Sequence, residues 1–207
     1  DLYPLGHWLN GRISSQPLSA VIAGVLDGYG FSDYDTSELD GMLAGLVIDR
    51  PMSAREALQS LELAAFVDSV ESGGKIRFRS RGAAAPVAAF TSDDLVEAKP
   101  GEALFTLTRA QETDLPASAR LSFSALELDY RASVVTSRRL TGASGRIAEA
   151  QLALVMSSAD AARTADAWLF EAWAARERAK FALPPSCLAL EPGDLVTLDH
   201  GGRTSLF

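Results

Sequence analysis

The chain has 207 residues, 47% of them hydrophobic, with 27 acidic against 19 basic side chains and a formal charge of -8. That is enough apolar material for one large or two small cores, and the sign of the charge argues against non-specific binding to nucleic acid or to an anionic membrane. One cysteine, Cys187, excludes an internal disulfide and a multi-thiolate metal site, and no apolar run approaches the roughly 20 residues of a bilayer span.

In chain order, Asp1 to Gly11 reads as an extended lead-in whose Tyr3, Leu5, Trp8 and Leu9 dock on something. Pro17 occupies a helix N1 position, and Leu18, Val21, Ile22, Val25 and Leu26 form one apolar stripe that Gly28 and Gly30 terminate. Asp27 to Asp40 is acidic and turn-rich, and Leu46-Val47-Ile48 is a short strand stopped by Pro51. Ser53 and Glu56 make a capping box for a second helix that buries Ala57, Leu58 and Leu61. Strands 66–71 and 75–81 flank Ser72-Gly73-Gly74, a hairpin signal. On the second of these strands Lys75, Arg77, Arg79 and Arg81 share a face.

Gly82 to Pro86 is the best boundary between a helix-rich α/β lobe at 1–82 and a β-rich lobe at 83–207 that carries one long helix. Strands are expected at 87–91, 103–108, 119–124 and 132–140, with Lys99-Pro100-Gly101-Glu102 as a turn and Gly142 and Gly145 as breaks. Ala150 to Met156 reads as a buried strand. Ser157 and Asp160 then start a helix whose buried stripe is Ala161, Ala165, Trp168, Leu169 and Ala172, with Thr164 elsewhere. Residues 178–183 alternate as a half-covered strand ended by Pro184 and Pro185, and Glu191-Pro192-Gly193-Asp194 turns the chain into a strand at 195–198. The fold class is α+β, mixed and largely antiparallel, with covering helices. The start at Asp1 without methionine, and a last segment that reads like the beginning of another element, create the expectation of a piece of a longer protein.

No candidate for chemistry stands out, so no catalytic, cofactor or metal residue is assigned. Asp33, Asp35 and Ser37 open like a calcium loop, but Glu38 and Ala44 stand where glycine and a bidentate glutamate belong; whether 33–40 holds a cation stays open. His7 and His200 lack zinc-type spacing, and Thr141 to Gly145 lacks G-x-S-x-G. Walker A and G-x-G-x-x-G are absent. Asp93, Asp94, Glu127, Asp129, Glu191 and Asp194 would need to converge to act as a catalytic pair. The cationic strip would suit an acidic partner chain, or simply be solvated. Trp8, Trp168 and Trp173 would suit a sugar platform, an interface or the core, and Cys187 a buried packing role.

Several runs together resemble a known family. Leu115-Pro116, Leu121-Ser122-Phe123, Asp129-Tyr130-Arg131 and Ser137-Arg138-Arg139, followed by the alanine-rich helix, the 178–183 strand and Leu190 to Val196, are similar to the succession in phage tail tip proteins. Residues 1–81, notably Val47 to Arg55, resemble the large tail tip protein of alphaproteobacterial gene transfer agents and related siphophages. Ser124-Ala125 departs from relatives that carry an aspartate there.

The resemblance implies a central slice of a large baseplate hub protein. It would be a homotrimer at the tip of a phage-like tail, made in the bacterial cytoplasm. There it would join tail tube and distal tail proteins to fibres or a spike, with no membrane anchor and with DNA only as passing cargo. Any glycosidase-like barrel would lie outside this segment, which itself would be no enzyme. The alternatives are a host-surface carbohydrate-binding module or a cell-wall hydrolase.

Overall fold

A computed structural model describes residues 6–7, 12–13, 15–48, 50–82, 85–140, 142 and 144–207. The chain opens with β1 (Gly6–His7), β2 (Arg12–Ile13), β3 (Gln16–Pro17), α1 (Leu18–Gly28), β4 (Tyr34–Glu38), β5 (Met42–Leu43) and β6 (Gly45–Leu46). Next come α2 (Ala54–Ala65), β7 (Val67–Ser72), β8 (Lys75–Ser80), β9 (Ala88–Thr91), β10 (Phe105–Arg109) and β11 (Pro116–Ala125). The chain closes with β12 (Arg131–Arg138), β13 (Arg146–Met156), α3 (Ser158–Ala174), β14 (Glu177–Phe181), β15 (Val196–His200) and β16 (Arg203–Leu206). Parallel pairings join β11 to β13, β15 to β9 and β4 to β8; the other pairings between these strands are antiparallel. The fold is α+β.

The chain divides into two compact units, Asp1–Ser80 with Glu112–Trp173, and Arg81–Gln111 with Ala174–Phe207. Neither is a continuous segment, so lobes at 1–82 and 83–207 do not describe the architecture. The physical reason is β6. Its Leu46 pairs with Leu154 and its Gly45 with Val155, which places an early strand on a sheet built from the later half, in the order β12-β11-β13-β6.

In the first unit that sheet shares one core with a second sheet, β4-β8-β7, and with the helices. Leu18, Ile22 and Leu26 of α1, Leu58 and Leu61 of α2, and Phe78 of β8 meet Leu121, Phe123, Leu152 and Leu154 of the larger sheet. Alternation explains β11: Ala119, Leu121, Phe123 and Ala125 are buried, while Arg120 between them is exposed. The α2 capping box forms as expected, with the Glu56 N–H donating to Ser53 Oγ at 3.3 Å and the Ser53 N–H donating to Glu56 Oε2 at 2.8 Å. Replacing Ser53 with Ala should therefore lower stability by about 1 kcal/mol in urea unfolding, and Ser53→Asp should recover most of it. Gly73 and Gly74, at φ 59° and 78°, supply the two positive-φ residues of a tight hairpin turn between β7 and β8.

Several local expectations are corrected. The section 27–40 contains strand β4, and the strand expected at 46–48 is ladder-paired at Gly45–Leu46, followed by one further bond from the Val47 N–H to the Ala153 carbonyl. Pro17 stands just before α1 instead of inside it. On α3 the buried face includes Thr164 and Trp173 together with Ala161, Ala165 and Leu169, while Trp168 and Ala172 are half-buried. Most of the lead-in at 1–11 lies outside the described residues; Gly6–His7 within it pairs with Arg12–Ile13.

The second unit is smaller. It holds the sheet β16-β15-β9 and the β10-β14 pair, and it buries Leu95, Val196 and Leu198. Phe105, Phe181 and Phe207 form an aromatic cluster with ring centroids 5.8 to 6.5 Å apart.

Candidate functional site

The acidic section and the cationic strip, separate in sequence, meet in space. β4 runs parallel to β8 with Asp35 beside Arg77 and Glu38 beside Arg79, and Glu38 Oε2 lies 3.0 Å from Arg79 Nε. Hydrogen bonds from Ser37 hold the Asp35 carboxyl below its ordinary range, helped by the charges of Arg77 and Lys75. The Ser37 N–H donates to Asp35 Oδ1 at 3.0 Å, so this carboxylate closes a local turn. The strip is thus partly answered from within the chain. Among the described residues no three His, Cys, Asp or Glu side chains gather as a metal site.

Several of the other polar candidates bind main-chain groups. Asp94 accepts from the Thr91 N–H and hydroxyl, both at 2.8 Å, and Asp194 accepts from the Glu191 N–H at 2.9 Å. Glu127 accepts from the Ser158 N–H at 3.0 Å, at the start of α3 where a negative charge is favoured. Ser144 Oγ donates to the Leu115 carbonyl and accepts from the Arg146 N–H, so this hydroxyl is bound to main chain. His200 Nδ1 is 2.9 Å from Ser92 Oγ, and its ring lies 4.6 Å from that of Phe105. The His7 side chain lies outside the described residues.

The α3 start has a consequence for pH. Hydrogen bonds from Ser157 first, then Arg163, hold the Asp160 carboxyl below its ordinary value. A carboxyl depressed in the fold contributes stability that is present above its unfolded value, about 3.9, and lost as pH falls through the folded value. Urea midpoints should therefore hold above about pH 5 and drop as pH falls below it, through the unfolded value and on through the folded one, and Ser157→Ala should reduce that drop.

Trp173 is only 6% exposed and Trp168 packs against both buried clusters, so neither forms an open sugar platform; Trp8 lies outside the described residues. Cys187, expected to be buried, is half-exposed. What the first unit does offer is surface. An apolar groove of about 440 Å³ runs between α1, at Ala20, Gly24 and Gly28, and the Leu43 to Leu46 segment. Its signal, small residues at every fourth position, was legible but lay beside the stronger apolar stripe, whose Val21 and Val25 also line the groove. The arrangement suits packing and strand addition and brings no reacting groups together among the described residues.

Comparison with known proteins agrees with that character. A family model described as "Putative phage tail protein" matches residues 53–207. No curated protein matches the sequence. The chain is similar to one in the virion of a native gene transfer agent particle, with 34% identity and a TM-score of 0.86 over 100% of this chain and 47% of that one. It thus spans about half the length of the virion protein it matches. It shares a fold with the tail protein from Neisseria meningitidis MC58, at 11% identity and a TM-score of 0.63 over 95% of this chain and 61% of that one. It also shares a fold with the 43 kDa tail protein of prophage MuSo2 from Shewanella oneidensis, at 14% identity and 0.51 over 93% and 57%. The matched segment makes up well over half of the sequence, and the chain belongs to this family of phage tail proteins.

Proposed function

We propose that the chain is a hub segment at the distal tip of a phage-like tail, joining the tail tube to fibres or a spike and leaving a passage for DNA. The observation that carries this reading is 34% identity, over the whole of this chain, to a protein of a gene transfer agent virion. The site chemistry points the same way: the Asp94 and Glu127 carboxylates and the Ser144 hydroxyl, which an enzyme could aim at substrate, are spent here on caps and turns. A closed ring of identical copies, three in this reading, would match the axial symmetry of a tube. A net charge of -8 disfavours adhesion of a phosphate backbone passing through such a ring. The segment works by assembly, without an enzymatic step of its own.

The test is an internal tag on the full-length protein, located by electron microscopy of purified tailed particles. Label confined to the tip at threefold copy number is the expected result. Particles without label, or label only on side fibres, would overturn the hub assignment and bring host-surface sugar binding forward.

A further inference from the structure

We propose that the outer edge of β12 is the docking site for an extended, acid-bearing strand of a neighbouring polypeptide. This deepens the tail-assembly reading and rests on it for the source of that strand. β12 stands at the end of the order β12-β11-β13-β6 and pairs with β11 alone among the described residues. It runs for eight residues, about 26 Å, in unbroken register. Free edges of that length invite pairing, and proteins blunt them with proline, bulges or inward-pointing charges. β12 has no proline and no bulge, and its charges stand only at its two ends. Val135 packs on the core and fixes the strand, while Ala132, Val134 and Thr136 form an exposed row on the other face.

Charge selects the occupant. From Tyr130 to Ala148 the sequence has four arginines and no acid, in a chain where acids outnumber bases. Arg146 is paired with Asp114, and Arg139 lies over the Trp173 ring. Arg131 and Arg138 are exposed and enter no ion pair among the described residues. An added strand with carboxylates seven positions apart would place one opposite each arginine, while the main-chain bonds of strand addition supply affinity. A nucleic acid would meet only two cations, one at each end of the strand, on a chain of net negative charge, where phosphate binding needs several together.

The probe is a fluorescein-labelled peptide, Asp-Val-Thr-Val-Thr-Val-Thr-Glu, titrated against the 207-residue chain by fluorescence anisotropy. Saturable binding is expected. Arg131→Glu with Arg138→Glu, and separately a peptide with lysine at both ends, should each weaken it by about 10-fold or more. Arg131→Lys with Arg138→Lys should restore it, and circular dichroism should show all variants folded. Methylating alternate peptide nitrogens should abolish binding on one edge and change it less than about threefold on the other, because strand addition uses one edge. No binding, equal binding of both methylated peptides, or arginine-dependent capture of oligo-dT instead would overturn the proposal. The tagged-particle result is independent, so a failed peptide leaves the tip assignment standing, and a mislocated tag leaves the edge chemistry measurable.

Discussion

Leu154→Ala is expected to destabilise the first unit by about 2–5 kcal/mol, a large share of the roughly 5–15 kcal/mol of a typical domain. Leu154 is 0% exposed and sits on β13, between β11 on one side and β6 on the other. It belongs to the core formed by α1, α2 and both sheets, so four independent elements line the space its side chain would leave. The lost transfer energy and the unfilled cavity add, and paired strands on both flanks restrict collapse into the gap. Leu154→Met keeps most of the volume and should cost less than about 1.5 kcal/mol. Urea unfolding followed by emission of Trp168 and Trp173, which both pack in this unit, would measure the difference. A loss below about 1 kcal/mol for the alanine variant would mean that the β6-β13 junction does not hold the core of the first unit together.

That junction also marks where the sequence stopped being legible. α2 was readable because its signals are local: Ser53 and Glu56 cap it, and Ala57, Leu58 and Leu61 repeat at helical spacing. The β7-β8 hairpin was readable because two glycines at its turn leave little alternative. β4 was not, since Asp-Thr-Ser-Glu is poor in strand formers and becomes a strand by lying beside β8. Thr164 was placed outside the α3 stripe because a hydroxyl breaks an apolar pattern, yet it is 8% exposed. The interleaved units depend on pairing between Leu46 and Leu154, which no local pattern encodes. The same holds for docking surfaces. The arginines of 131–139 are visible in the sequence, but only the sheet order leaves β12 at an edge. Candidate acids such as Asp94 and Glu127 were visible too, and their work as caps depends on backbone they face only after folding.

Trp173→Ala should cost about 3–5 kcal/mol, and Trp173→Phe about 1–3 kcal/mol, because the indole has two separable roles. Its ring is buried with Leu115, Ala119 and Leu169, forming a cluster apart from the main core. Its Nε1–H donates to the Pro116 carbonyl at 2.8 Å, closing a span of 57 residues between the start of β11 and the end of α3. Phenylalanine keeps most of the packing but leaves that part-buried carbonyl without its indole donor; alanine also opens a cavity. The Arg139 guanidinium lies 3.7 Å from the ring centroid, and its removal in Arg139→Ala should cost only about 0.5–1 kcal/mol, since Arg139 is exposed. The tryptophan therefore clasps the two ends of the later segment of the first unit. This use of the ring excludes its use as a sugar-binding platform, which needs an open face. In a Trp8→Phe background, host polysaccharide should leave the emission of Trp168 and Trp173 unquenched, while urea should expose it in step with unfolding. Equal losses for the phenylalanine and alanine variants would assign the clasp to the hydrogen bond, and a loss in the alanine variant alone would assign it to packing.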